Sequence, residues 1–248
     1  MEDVVSWFGR GGMLFSIILE PPWRWVTTLV LVSAICAVTD MAVRSHPRLR
    51  SHHPAYTLLF WILPTLLIMQ AVVSIPLFAS GRWSVVGVLA SGAMVGLVVF
   101  CEYHTIDVQD KIYGVSRFIL NATVYVLAFA FYIYIHQLEM GALPSALLAW
   151  LVSSLLAVEL FREERRSGSI ALYAAITGLT IGETEGALTY WSMAGVTGGV
   201  FLLLVFYFVT GVIQHYFSGE LRRGRVLEFA AVTLVGFALV YVSRLWVV

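Results

Sequence analysis

Glu183 and Glu185 sit inside the apolar stretch Ile170–Trp191, which holds no lysine or arginine. A carboxyl group in hydrocarbon costs several kcal/mol unless it is paired, hydrated or protonated. Intramembrane carboxylates therefore mark proton relays and cation sites, where the same group takes up a proton or holds a cation. Gly178, Gly182 and Gly186 recur every four residues in this stretch and line one stripe of a helix, where another backbone can approach closely. Glu185 and Thr189 fall on or beside that stripe, and Glu183 lies on the other flank with Tyr190 seven residues on. The two carboxylates are about 200° apart around an ideal helix, so they cannot both face one partner. Either one points into a bundle and the other meets a second polar group, or the glycines break the helix, as in the substrate and ion sites of transporters. The competing arrangement is tertiary: one glutamate pairs with Arg244, and the other reaches headgroups or hydrogen-bonds Tyr190.

A second set of reactive side chains gathers at the ends of apolar blocks. Asp40 closes the first block, Glu102 with His104 and Asp107 the third, Glu159 the fifth and His215 the seventh. On a continuing helix Cys101, His104 and Asp107 fall along one face at spacings of three. Thiolate, imidazole and carboxylate can ligate zinc or another divalent metal, which would activate water. No HExxH or paired CxxC pattern supports a metal, so no cofactor is assigned. The competing reading is local ion pairing, Asp40 with Arg44 and Glu159 with Arg162. Negative groups at C-terminal helix ends gain nothing from the helix dipole, which favours a purpose for them.

The elements that must position these groups follow from composition. Hydrophobic residues make up 60% of the chain and charged residues 12%, against roughly half and a quarter in globular proteins. The apolar residues fall in eight blocks: Val26–Val43, Ala55–Ala79, Trp83–Phe100, Phe118–Ile135, Leu143–Phe161, Ile170–Trp191, Ala194–Phe217 and Val226–Val248. Each has about the ~20 residues that span a ~30 Å hydrocarbon core as a helix. Strand-like alternation is lacking, so the expected fold is all-α: a polytopic integral membrane bundle of about eight transmembrane helices over 23–248. Residues 1–22 read as a separate interfacial segment. Gly11–Glu20 is too short to span and stops at Pro21-Pro22, with Trp7, Trp23 and Trp25 as headgroup anchors.

Basic residues orient the bundle. Eleven (Arg44, Arg48, Arg50, Lys111, Arg117, Arg162, Arg165, Arg166, Arg222, Arg223 and Arg225) flank the odd-numbered loops. Four (Arg10, Arg24, Arg82 and Arg244) lie on the opposite side. The positive-inside rule makes the odd loops cytoplasmic and both termini external, in a cytoplasmic membrane of bacterial or archaeal type. Glu183 and Glu185 then lie nearer the outer boundary than the midplane, and the Asp40, Glu102, Glu159 and His215 set near the inner one.

Other features carry less. Gln70 and Asn121 read as polar glue between helices, and Pro64 and Pro76 as kinks in the second helix. Gly92 and Gly96 form a second close-contact stripe, a surface for partner membrane helices along with Gly178, Gly182 and Gly186. His136 and Glu139 border a short outer loop and read as hydrated. The aromatic run Phe129–Tyr134 reads as core or lipid-facing surface, with a flat pigment as the alternative. Cys36 and Cys101 fall in helices and form no disulfide framework. The single lysine, Lys111, sits in a loop, which excludes a retinal Schiff base. Net charge is zero and the arginines are tied to membrane edges, so lipid is the expected partner and nucleic acid is not.

Three functions fit. One is a proton- or ion-coupled transporter of a small solute, with Glu183, Glu185, Tyr190 and Arg244 at the outer side and Glu159, Asp40, Glu102 and His215 at the inner side. Another is an accessory or assembly subunit of a larger membrane complex. A third is a membrane enzyme acting on a lipid or isoprenoid. Comparing helices 1–4 with 5–8 reveals only the shared acidic endings Asp40 and Glu159.

Overall fold

The structure, a computed structural model, describes residues 23–44, 54–78, 82–107, 109–162, 170–191, 193, 195–217 and 230–238. Helices and short turns account for these residues, and no strand occurs among them. In chain order the helices are α1 (Trp23–Arg44), a 3-10 segment (Pro54–Trp61) that runs into α2 (Ile62–Phe78), α3 (Arg82–His104), α4 (Tyr113–Gln137), α5 (Ala142–Phe161), α6 (Ile170–Leu188) and α7 (Gly195–Phe217). A further helical stretch covers 230–238.

Among the described residues, five helices are long and apolar enough to cross a membrane: Thr57–Ile75, Trp83–His104, Tyr113–Gln137, Ala142–Phe161 and Gly195–Phe217. Such helices satisfy their own backbone groups, which is what lipid demands. Among the described residues the chain is helical throughout apart from short turns, the architecture of a helical membrane protein. The count of five differs from the eight crossings expected from the apolar blocks. The α6 helix is not among the five, and its 19 residues include Glu183 and Glu185. The expected interfacial helix at Gly11–Glu20, and Arg244, lie outside the described residues.

Packing divides the chain into two compact units, with the division inside α4 between Asn121 and Ala122. In the first unit, α1 packs on α2, on the 3-10 segment and on α3, and α2 packs on α3. Val43, Phe60 and Ile106 form a small buried cluster there with Tyr103 against it. The expected kink at Pro64 takes another form. Pro64 is the third residue of α2, and the irregularity lies just before it, as the 3-10 segment.

In the second unit, α5, α6 and α7 pack on one another, and they bury Leu156, Ala157, Ile181, Leu202 and Phe206. The α5–α6 contact is backbone to backbone. A Cβ on Gly178 would run into Ser154 and the Trp150 carbonyl, and one on Gly182 would lie 2.7 Å from the Ala146 carbonyl oxygen. The glycine stripe expected to bind another backbone does so within the chain, against Ala142, Ala146, Trp150 and Ser154, themselves spaced by four on α5. Helix α7 reaches α4 the same way, with Gly199 against Ile133 and Gly198 against the His136 ring. The 230–238 stretch leans on α7, where Phe237 and Phe201 stack with centroids 4.4 Å apart. The four-residue connection from α4 to α5 turns tightly, with Glu139 and Gly141 at φ 46° and 91°.

Candidate functional site

Four threonines on or just past α6 need no help from other helices. Thr177, Thr180, Thr184 and Thr189 each donate to the carbonyl four residues earlier, the usual way a hydroxyl is accommodated in an apolar helix. A carboxylate only accepts hydrogen bonds, so it must find a donor elsewhere. Helix α6 is unbroken, and its two glutamates diverge as their spacing requires. Glu183 is exposed, whereas the Glu185 side chain is 1% exposed and lies on the glycine side facing the bundle.

The donor is His136. Its Nδ1 lies 3.2 Å from both Oε1 and Oε2 of Glu185, with the imidazole side chain only 8% exposed. Hydration of His136, expected from its place beside a loop, is thus not what the fold provides. Gly198 is the physical reason: α7 closes so near that a Cβ there would stand 2.7 Å from the ring. An imidazole nitrogen and a carboxylate at this distance form a hydrogen bond in which the imidazole donates when Nδ1 carries the hydrogen. Glu185 precedes the end of α6 by three residues and His136 is one residue short of the end of α4, which places the pair about one helical turn, ~5 Å, below that end of the unit.

Two more polar pairs lie along the same face of α4. Tyr132 and Ser153, both fully buried, meet hydroxyl to hydroxyl at 2.7 Å. Tyr125 Oη approaches Thr210 Oγ1 at 3.3 Å, and Thr210 donates to the Phe206 carbonyl. Residues 125, 132 and 136 are spaced by seven and four, which keeps them on one stripe of a helix. One helix thus offers a polar group in turn to α7, α5 and α6. Sequence reasoning missed Tyr125, Tyr132, Ser153 and Thr210, although that spacing was a readable signal. In the Phe129–Tyr134 run, Phe131 and Tyr132 belong to the buried core.

At the other end of this unit Glu159 and Arg162 form a buried ion pair, 3.0 Å between Oε2 and Nη1. Nearby in sequence, the Leu160 carbonyl accepts from Gln214 Nε2 at 3.4 Å. His215 Nδ1 bonds the Gly211 carbonyl at 2.9 Å, within its own helix. Phe161, Tyr173 and Phe217 pack ring to ring beside this end. Tyr190, in the turn after α6, is 85% exposed.

In the first unit each candidate has a local partner. Asp40 pairs with Arg44 at 2.7 Å. His104 Nδ1 pairs with Asp110 Oδ2 at 2.6 Å, and Asp107 Oδ1 accepts the Gln109 N–H at 2.8 Å. These bonds shape the turn between α3 and α4, so Cys101, His104 and Asp107 do not converge as the three-residue spacing had implied. Among the described residues no three His, Cys, Asp or Glu side chains form a group able to hold a metal ion. Glu102 is fully buried, as is Cys101 to within 1%. Cys36 and Cys101 are both free.

The chain belongs to the family described as "Protein of unknown function (DUF5656)", which matches residues 10–243. No curated protein and no solved structure matches it.

Proposed function

We propose that this protein is a multi-pass transporter that couples passage of a small solute or ion to proton movement, with the His136–Glu185 pair as its proton-binding group. The observation that carries this reading is a carboxylate and an imidazole buried against each other between two predominantly apolar helices. Burying the two groups is expensive, and an apolar pair of similar volume would hold the helices together as well or better. The feature such a pair has and an apolar pair lacks is an exchangeable proton.

The arginine distribution supports an orientation in which the α4–α5 and α6–α7 connections face outward and Arg162, Arg165 and Arg166 face the cytoplasm. The pair is then the outer station and Glu159 the inner one. Glu183 and Tyr190, both exposed, would stand at the outer rim. Purified protein in vesicles, assayed for proton flux under an imposed pH gradient, tests the reading. Glu185→Gln keeps the shape and removes the titrating group, so it abolishes flux while the detergent-extracted protein stays monodisperse. Unchanged flux would dismiss the proposal.

A second reading, a subunit of a larger membrane assembly, has its own support in α3. Gly92 and Gly96 have nothing within 4 Å of where a Cβ would stand, unlike the glycines of α6. Co-purification of partner helices that is lost on Gly92→Leu would favour it.

A further inference from the structure

The inference deepens the proton-coupled reading and rests on it: it concerns the route the proton takes. Three polar contacts leave one stripe of α4 for three different helices, His136 to Glu185, Tyr132 to Ser153, and Tyr125 to Thr210. At ~1.5 Å rise per residue they stand about 6 Å and then about 10 Å apart along the axis. One turn beyond Thr210 on α7 comes Gln214, bonded to the Leu160 carbonyl, and next to Leu160 is Glu159 with Arg162. Polar stations thus occur at successive depths of the second unit, from the α4 and α6 ends to the Arg162 end.

The types of these groups separate a relay from simple helix glue. An amide holds helices together but cannot receive a proton on one side and release another. A hydroxyl is donor and acceptor at once. Both inner contacts are hydroxyl to hydroxyl, and Tyr132, Ser153 and Thr210 are all fully buried. At rest Thr210 donates to the Phe206 carbonyl, which leaves Tyr125 as the donor in its pair, so Thr210 must turn its proton away from that carbonyl to pass it on. Tyr132 and Ser153 have no such fixed sense.

We infer that Tyr132 with Ser153, and Tyr125 with Thr210, relay protons between the His136–Glu185 pair and Glu159. The intervals exceed one hydrogen bond, so the relay requires water admitted between the helices in each of them. The protonated pair gives a proton to such a water. Each oxygen along the route accepts one proton as it releases another, and the last water protonates the Glu159 carboxylate. Every hydroxyl ends with the proton count it began with, one positive charge has moved, and nothing is oxidised or reduced.

Proton flux into vesicles holding a pH-sensitive dye tests this, compared in H2O and D2O at equal amounts of folded protein. Tyr132→Phe removes only an oxygen and is expected to lower flux at least tenfold. Thr210→Val, a near match in shape, is expected to lower it similarly, while Thr210→Ser keeps most of it. The residual flux should lose the D2O effect of the unsubstituted protein, a change that loosened packing does not produce. If Tyr132→Phe does not fold, the contrast between Thr210→Val and Thr210→Ser decides. Flux abolished by Glu185→Gln but untouched by Tyr132→Phe and Thr210→Val overturns the relay and leaves the proton-binding pair standing. No flux in the unsubstituted protein overturns both.

Discussion

The imidazole of His136 and the carboxylate of Glu185 face each other across α4 and α6, with Nδ1 equidistant at 3.2 Å from the two oxygens. Removing either partner strands the other in a buried site, at a cost of about 1–3 kcal/mol for an unsatisfied polar group. His136→Ala and Glu185→Ala are each expected to lower stability by that order. The double variant should be less destabilised than the two losses combined, with a coupling of about 0.5–3 kcal/mol. Thermal unfolding in detergent measures the cycle, and strict additivity would mean the two groups do not interact.

Helix α6 lies on α5 through glycines that differ in the room around them. A Cβ on Gly178 collides with Ser154 and backbone, one on Gly182 stands 2.7 Å from a carbonyl oxygen, and one on Gly186 meets nothing nearer than 3.5 Å. Gly178→Ala should therefore destabilise most, by ~3 kcal/mol or more, Gly182→Ala by about 1–3 kcal/mol, and Gly186→Ala least. Equal losses at the three positions would contradict the packing described. Gly92→Ala and Gly96→Ala on α3 should be close to neutral in the isolated protein.

Gly198 bears on the pair without carrying any charge. Its Cβ would stand 2.7–2.8 Å from the imidazole, so Gly198→Ala must push the ring away from Glu185. Proton flux should fall roughly tenfold although both titrating groups remain, as expected when a small displacement breaks a positioned contact. Flux equal to that of the unsubstituted protein would show that the placing of the ring is unimportant.

Helix positions are written plainly in the chain, because a ~30 Å apolar slab admits only long apolar segments. The block Trp83–Phe100 appears as α3, Arg82–His104, and Leu143–Phe161 as α5, Ala142–Phe161. Glu185 is legible as well, since a carboxylate in such a block demands a reason. Its partner is not. His136 is 49 residues away and ends a block beside a loop, where hydropathy alone assigns it to water. What buries it is the close approach of α7 at Gly198: small residues at 195, 198 and 199 permit a close helix contact, but nothing local says that the His136 ring is what they meet. At Cys101, His104 and Asp107 the fold likewise departs from what the three-residue spacing assumes. A spacing of three assumes a continuing helix, but α3 ends at His104, and Asp107 and Asp110 bond backbone amides of the turn instead.

Orientation is open to direct labelling. In a background with Cys36 and Cys101 replaced by Ala, Glu139→Cys should react with an impermeant maleimide added outside intact cells. Ser167→Cys should react only after the membrane is opened. Labelling of both from the same side would separate the outer and inner stations from the sides assigned here, and would remove the basis for an outward-facing pair.

The central claim is that Glu185 takes up and releases a proton. The infrared difference spectrum between alkaline and acidic pH reads this without any assumption about the solute. A carboxylic-acid carbonyl band should grow on acidification, vanish in Glu185→Gln and shift in His136→Gln, whose side chain still offers a donor. A Glu185→Gln spectrum indistinguishable from that of the unsubstituted protein would mean that the proton resides elsewhere, and the account would be wrong.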